Sequence, residues 1–138
     1  MTPLSGRLIL KLSLFGFGMA FATVWVIPSN IEPLFWLAVF AACAFLIARF
    51  APGRYFLHGF LVSLVNSVGV TSAHVLFVGA YLAHHPQEAE MLKTMPMPDS
   101  PRLMMMMTGP LVGIVSGLVL GGLSFLAAKF VKPAARAS

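Results

Sequence analysis

Long apolar runs alternate with short polar segments along the chain. The runs occupy residues 8–27, 33–50, 55–83 and 101–130. At about 1.5 Å per residue, each run is long enough to cross a hydrocarbon core of about 30 Å as an α-helix, the second only just. None shows the period-two alternation of a membrane β-strand. The pattern predicts an all-α membrane protein, a single domain over 1–138, with four transmembrane helices in an antiparallel bundle.

Prolines and small polar residues mark the predicted helix boundaries. Ser29 or Asn30 is placed to cap the second helix, whose first turn holds Pro33. Ser100 is a candidate N-cap for the fourth helix, and Pro101 is then its first residue. Serine and asparagine side chains cap helices by accepting from free N–H groups, and proline is well tolerated in a first turn because it lacks one.

The composition agrees with a membrane protein and excludes other classes. Apolar residues make up 59% of the chain and charged residues 9%, whereas soluble domains carry about 25% charged residues. The net charge of +5 is spread in ones and twos beside the apolar runs. Membrane proteins place lysine and arginine beside their spans in this pattern. The charge distribution therefore predicts the lipid bilayer as partner and no nucleic acid.

The basic residues also predict the orientation. With four crossings, both termini and the turn near 52–54 share one side, which holds seven basic residues and no acidic one. The other side holds two basic residues and all four acidic ones. The positive-inside rule then predicts a multi-pass protein of the cell (inner) membrane with both termini cytoplasmic. The seven basic residues are Arg7, Lys11, Arg49, Arg54, Lys129, Lys132 and Arg136.

An alternative interpretation concerns the first run. Arg7, Lys11 and the apolar stretch before Ala20-Phe21-Ala22 resemble a signal peptide with a small-residue cleavage site. The apolar run continues without a polar break as far as Ile27, which favours a retained helix. Cleavage would leave three crossings.

The fourth run carries glycines at every fourth position. Such a pattern forms a groove along a helix into which another backbone can pack closely. We expect the third run to pack into this groove within the bundle, at Ser63 and Ser67. The alternative is that the groove forms the interface between identical subunits. The glycines are Gly109, Gly113, Gly117 and Gly121.

The third run carries a polar stripe. At about 100° per residue, its serines and His74 lie close to one line, with an asparagine and a threonine on the flanks. Polar groups at such depth normally face the bundle interior. The stripe therefore predicts hydrogen bonds between helices or, alternatively, a narrow polar path or small binding site. Its members are Ser63, Asn66, Ser67, Thr71 and His74.

The polar loop over 84–100 is the longest segment between runs. Pro86 is expected to begin a short surface helix over 87–93. Histidine and methionine are concentrated near this loop, and imidazole and thioether ligands suit soft ions such as Cu(I). The spacing matches no strict ligand motif, and methionine is also an ordinary apolar filler. The weak metal candidates are His84, His85, Met95 and Met97.

No arrangement in the sequence is typical of an enzyme. There is no catalytic triad, no paired-carboxylate site and no glycine loop for phosphates, and the helical glycines follow no strand. We therefore expect a non-enzymatic protein without a cofactor. The leading hypothesis is a structural or interaction subunit, or a homo-oligomer. A small channel or carrier with a polar path on helix three, and a copper-binding protein on the outer face, are the alternatives.

Overall fold

The computed structural model describes residues 2–135 and shows an all-helical protein. Four of its helices are long and apolar enough to cross a membrane, which confirms the predicted class. Within the described residues the helices are α1 (Gly6–Trp25), α2 (Glu32–Phe50), α3 (Tyr55–Leu76), α4 (Val78–His84), α5 (Pro86–Lys93) and α6 (Pro101–Ala127), with no strand.

The third predicted helix, over 55–83, is interrupted. The backbone leaves helical geometry at Phe77 (φ −108°, ψ 33°), so that α3 and α4 are separate helices. His74 and Tyr81 lie seven residues apart, which is about 10 Å along a straight helix, yet their ring centroids lie 4.1 Å apart. The interruption therefore accompanies a close stacking that a continuous helix would make difficult.

The predicted side-chain caps do not form. Ile31 is the N-cap of α2, and neither Ser29 nor Asn30 caps it. Ser100 is the N-cap of α6, with Pro101 following as expected, but the Ser100 side chain makes no capping hydrogen bond. Ser29 instead donates to Glu88 at 2.7 Å. The Ser29 hydroxyl therefore bonds to Glu88, which is distant in sequence, and not to the N-terminus of α2. The short surface helix predicted after Pro86 is present as α5.

Helix α3 is the central element, since it packs against both α1 and α6. Its contacts with α1 follow the same order along both helices, from Ser5 and His58 to Thr23 and His74. Its contacts with α6 follow opposite orders, since Gly109 faces Thr71 and Gly121 faces Phe56. The two pairs of helices are therefore parallel and antiparallel respectively, as chain connectivity through alternate crossings requires.

The glycines of α6 allow its close approach to α3. A Cβ placed on Gly113 would lie 2.3 Å from the Ser67 Oγ, and one on Gly121 would lie 2.8 Å from the Phe56 carbonyl oxygen. Gly59 contributes from α3, because its Cβ would lie 2.6 Å from the Leu120 carbonyl oxygen. Backbones at such distances gain dispersion contacts that compensate for the absence of a hydrophobic drive in lipid.

The core lies at the end of the molecule that holds residues 2–5, 51–54 and 128–135, here called the termini end. Cys43, Ile47, Val62 and Leu120 are fully buried there against one another. His58, also fully buried, accepts a hydrogen bond from the Ser5 N–H at 3.0 Å. The opposite end, with residues 26–31 and 77–100, is here called the loop end.

The chain after α6 returns to α2. The Ala134 N–H donates to the Arg49 carbonyl at 2.8 Å, and the Arg49 guanidinium donates to the Lys132 carbonyl at 3.0 Å. These bonds place the described basic residues of the tail beside the 51–54 turn. Arg136, counted above among the basic residues of this side, lies outside the described residues.

Adjacent glycines provide a matched test of the α3–α6 contact. We expect Gly121→Ala to lower the free energy of unfolding by about 2 kcal/mol, because its Cβ would press on a carbonyl oxygen that cannot move away cheaply. Gly122→Ala has open space around its Cβ, so stability should stay the same or rise by at most about 1 kcal/mol. Unfolding of the detergent-solubilised protein by SDS titration measures both. Equal losses in the two variants would contradict the close contact.

Candidate functional site

A cavity of about 630 Å³ lies between α2, α3 and α6, toward the loop end. Helix α5 contributes Glu88, Met91 and Leu92 to its lining, and the loop after it contributes Met95. The structure brings all five residues of the predicted polar stripe to this one cavity. The polar residues that line it are Glu32, Ser63, Asn66, Ser67, Thr71, His74, Tyr81, Glu88, Thr108 and Ser116.

Helical spacing and small residues explain how the cavity forms. Ser63, Ser67 and His74 recur at intervals of four and seven, so one face of α3 presents them together. Gly109 and Gly113 lie opposite on α6 and also line the cavity. The large side chains of α6 between them, such as Leu111 and Val115, are more than 60% exposed, which places them where lipid would lie.

The stripe makes both local and interhelical hydrogen bonds. The Ser67 hydroxyl donates to the Leu64 carbonyl of its own helix at 2.8 Å. Ser63 donates across to the Gly113 carbonyl of α6, at a long 3.4 Å, and His74 bonds to Thr23 of α1 at 3.1 Å.

Asn66 is the exception in the stripe. Its residue surface is 5% exposed, it lines the cavity, and neither its amide nitrogen nor its amide oxygen has a hydrogen-bond partner among the described residues. Its side chain packs against Gly16 of α1, where a Cβ would lie 2.3 Å from the Asn66 Oδ1. An unpaired buried amide costs about 1–3 kcal/mol. Both amide atoms are buried at the contact with α1, so a partner could reach them only if that contact opened.

At the loop end, three rings form a continuous stack. His74 stacks on Tyr81 with centroids 4.1 Å apart, and Tyr81 stacks on His85 at 4.3 Å. The His74 Nε2 lies 3.1 Å from the Thr23 hydroxyl oxygen. Because that hydroxyl donates to the Ala20 carbonyl at 3.0 Å, the His74 Nε2 is the donor between them. The stack therefore joins α3 and α4 to α1.

His85 is held by hydrogen bonds on both ring nitrogens. Its Nε2 donates to the Thr23 carbonyl, and its Nδ1 lies 2.8 Å from the Ser29 hydroxyl oxygen. The single Ser29 hydrogen goes to the Glu88 carboxylate, so the His85 Nδ1 must donate as well. The carboxylates of Glu32 and Glu88 each lie 3.7 Å from Nδ1.

The weak metal candidates of the sequence lie in different surroundings. His85 is fully buried with neither ring nitrogen free, and the exposed His84 has its Nδ1 within 2.8 Å of the Ala80 carbonyl oxygen. Met95 lines the cavity, but Met97 does not. Residues 2–135 hold no group of three or more histidine, cysteine or acidic side chains placed for a metal ion.

Several residues of this region escape sequence reasoning. Ser29 and Glu32 approach His85 from a distant part of the chain, and no local pattern relates them to it. Two pairs do have a local spacing: Glu88 lies three residues after His85, and the spacing of four places the Trp36 indole N–H 3.1 Å from the Glu32 carboxylate.

The cavity is closed toward the termini end. Val62 follows directly beneath Ser63, and Leu120 lies one turn below Ser116; both are fully buried, together with Ile47 of α2. The packed core therefore blocks any continuous polar path through the molecule in this conformation. The cavity is a site with one closed end.

Comparisons of the chain with protein-family models, with curated proteins and with solved structures found no match.

Adjacent histidines test the loop-end network. His85→Ala should lower the free energy of unfolding by about 3 kcal/mol, because it leaves two carboxylates and a buried carbonyl without their partner. His84→Ala removes an exposed ring and should change stability by less than about 0.5 kcal/mol. The same SDS titration measures both variants. If His85→Ala were as stable as His84→Ala, the network would contribute nothing to the fold.

Proposed function

We propose that this protein is a non-enzymatic membrane protein that takes up a small molecule from its loop end into the cavity between α2, α3 and α6, as the binding step of a carrier requires. The observation that carries the proposal is the cavity of about 630 Å³ that the whole polar stripe lines; Asn66, one of its lining residues, has an amide with no hydrogen-bond partner among the described residues. A buried amide without a partner is costly in the empty protein and becomes favourable when a ligand supplies the partner.

The size and lining of the cavity support this function. Ligand sites have volumes of about 300–1,000 Å³ and combine an apolar wall with a few polar groups. The cavity has about 630 Å³, with Trp36, Phe40, Val70 and Val112 among its apolar lining residues. The ligand that fits is mainly apolar and carries a hydrogen-bonding group for Asn66.

A binding site is favoured over an open channel because of the closed end. The side chains of Ile47, Val62 and Leu120 are fully buried and pack in one apolar cluster below the polar stripe. A carrier needs a site that is open to one side at a time, and a closed end agrees with that requirement. Release toward the termini end would require this core to part.

The orientation proposed for the protein places the loop end outside the cell. Both termini are proposed to be cytoplasmic in a cell (inner) membrane, on the strength of the basic residues near the termini end. The ligand would then enter from the outer side. Glu32 and Glu88 lie at that end.

The role of a structural or interaction subunit, which the glycine motif suggested, stays a prediction. Gly113, Gly117 and Gly121 are buried against α3 of the same chain, so the motif no longer calls for a partner chain. Copper binding at the outer face also stays a prediction, and it would have to proceed without His85.

Asn66→Leu tests the proposed function, because leucine has nearly the same shape and no polar atoms. We expect stability to rise by about 1–2 kcal/mol as the unpaired amide is removed. Binding of naphthalenemethanol, a neutral probe with an apolar body and one hydroxyl, should weaken about tenfold. Equilibrium dialysis of the detergent-solubilised protein against protein-free micelles measures the binding.

Ser72→Ala is the matched control for this variant. Ser72 is exposed on α3 and donates only to the Val68 carbonyl of its own helix at 2.7 Å, so neither stability nor binding should change. A loss of stability in Asn66→Leu with unchanged probe binding would refute the proposed function, since the amide would then serve the fold and not a ligand.

Labelling of single cysteines tests the orientation. In a protein with Cys43 replaced by alanine, Gln87→Cys on α5 should react with a membrane-impermeant maleimide in intact cells. Lys132→Cys should react only after the membrane is permeabilised. Both positions are exposed in the structure, so access depends on the side of the membrane. The reverse pattern would place the loop end in the cytoplasm.

A further inference from the structure

We infer that the ligand of the cavity is an organic cation, an amphipathic molecule whose positive group lies beside Glu32 and Glu88 and whose apolar body extends toward Asn66. This inference rests on the proposed function and names its ligand class. The charged residues that line the cavity are both acidic. They lie at the loop end, while the unpaired amide lies deeper on α3.

The local charge is negative even after its internal compensation. The two carboxylates face one imidazole, that of His85, at 3.7 Å each, and one ring can neutralise at most one of them. His74 makes its one hydrogen bond as a donor through Nε2 and needs no charge to do so. Among the basic side chains nearby, Lys93 pairs with Glu90 and Arg102 donates to the Val75 carbonyl at 3.1 Å, both exposed.

The carboxylates retain capacity for a ligand. Glu32 and Glu88 keep 18% and 31% of their side-chain surface exposed. Glu88 uses only its Oε2 within residues 2–135, for Ser29 and His85. An ammonium group can donate a hydrogen bond to the other carboxylate oxygen of Glu88, and its positive charge attracts both carboxylates. Such charge-assisted hydrogen bonds are stronger than neutral ones.

An aromatic ring at the same end favours a cation further. Trp36 lines the cavity, and its indole nitrogen lies 3.1 Å from the Glu32 carboxylate. Tyr81 also lines the cavity, but its two faces are covered by His74 and His85. Aromatic faces attract organic cations, most strongly where water is excluded. The spacing also limits the ligand: Asn66 and His74 are eight residues apart on α3, so the ligand should be about 12 Å long or less.

Three probes of one shape test the charge preference. Naphthylmethylammonium, naphthalenemethanol and naphthoate share an aromatic body and differ in carrying a positive charge, no charge or a negative charge. We expect the wild-type protein, in dialysis against protein-free micelles, to bind the ammonium at least about tenfold more tightly than the alcohol, and the naphthoate most weakly. Subtracting the micelle partition of each probe isolates binding to the protein.

The double variant Glu32→Gln, Glu88→Gln should weaken the ammonium about tenfold and leave the alcohol within about twofold. Glu90→Gln, on the same helix as Glu88 but outside the cavity lining, should change neither. Retained binding of the alcohol shows that the cavity is intact in each variant. If the double variant also failed to bind the alcohol, its cavity would not be intact. The relative affinities of the wild-type protein for the three probes would then test the inference.

The outcomes separate the two proposals. Equal binding of ammonium and alcohol, or tightest binding of naphthoate, would overturn the organic cation and leave the binding cavity standing. Failure of all three probes to bind above the micelle background would overturn both proposals.

Discussion

The close contact of α3 with α6 is the constraint on which the rest of the structure depends. Hydrocarbon offers no hydrophobic drive between helices, so the two backbones must come near enough for dispersion contacts to hold them. Gly113, Gly117 and Gly121 provide that approach from α6, and Gly59 provides it from α3. The contact aligns one face of α3 with the rest of the bundle. That face carries the polar stripe, and the cavity forms where α2 does not fill the space beside it.

The two ends of the molecule then differ in chemistry because they differ in packing. At the termini end, apolar side chains such as Ile47 and Leu120 fill the interior completely. At the loop end, the interior holds rings and polar groups that bond to one another around His85, and deeper on α3 the Asn66 amide has no partner among residues 2–135. The packed apolar cluster thus lies at one end and the cavity toward the other. The proposed function agrees with this division, since a site that admits a ligand cannot also be packed to the density of a core.

The sequence predicted the fold class well and the local details less well. Run length and apolarity predict four candidate spans, because a helix in lipid must be long, apolar and internally hydrogen-bonded. The interruption at Phe77 was not predicted, since an apolar run has no signal for a break made by the stacking of His74, Tyr81 and His85. Ser100 occupies the N-cap position of α6 as predicted, although its side chain makes no capping hydrogen bond. Neither Ser29 nor Asn30 caps α2, and the Ser29 hydroxyl donates to Glu88 instead.

By itself the sequence determined which segments are apolar, which face of α3 is polar and which face of α6 is small, because helical periodicity fixes the relation between residues a few positions apart. Only the tertiary structure decided that the polar face borders a cavity, that Asn66 lacks a partner and that Glu32, Ser29 and Glu88 meet at His85. Those relations join residues up to about sixty positions apart. No periodicity reaches so far, and only the packing of the helices sets these distances.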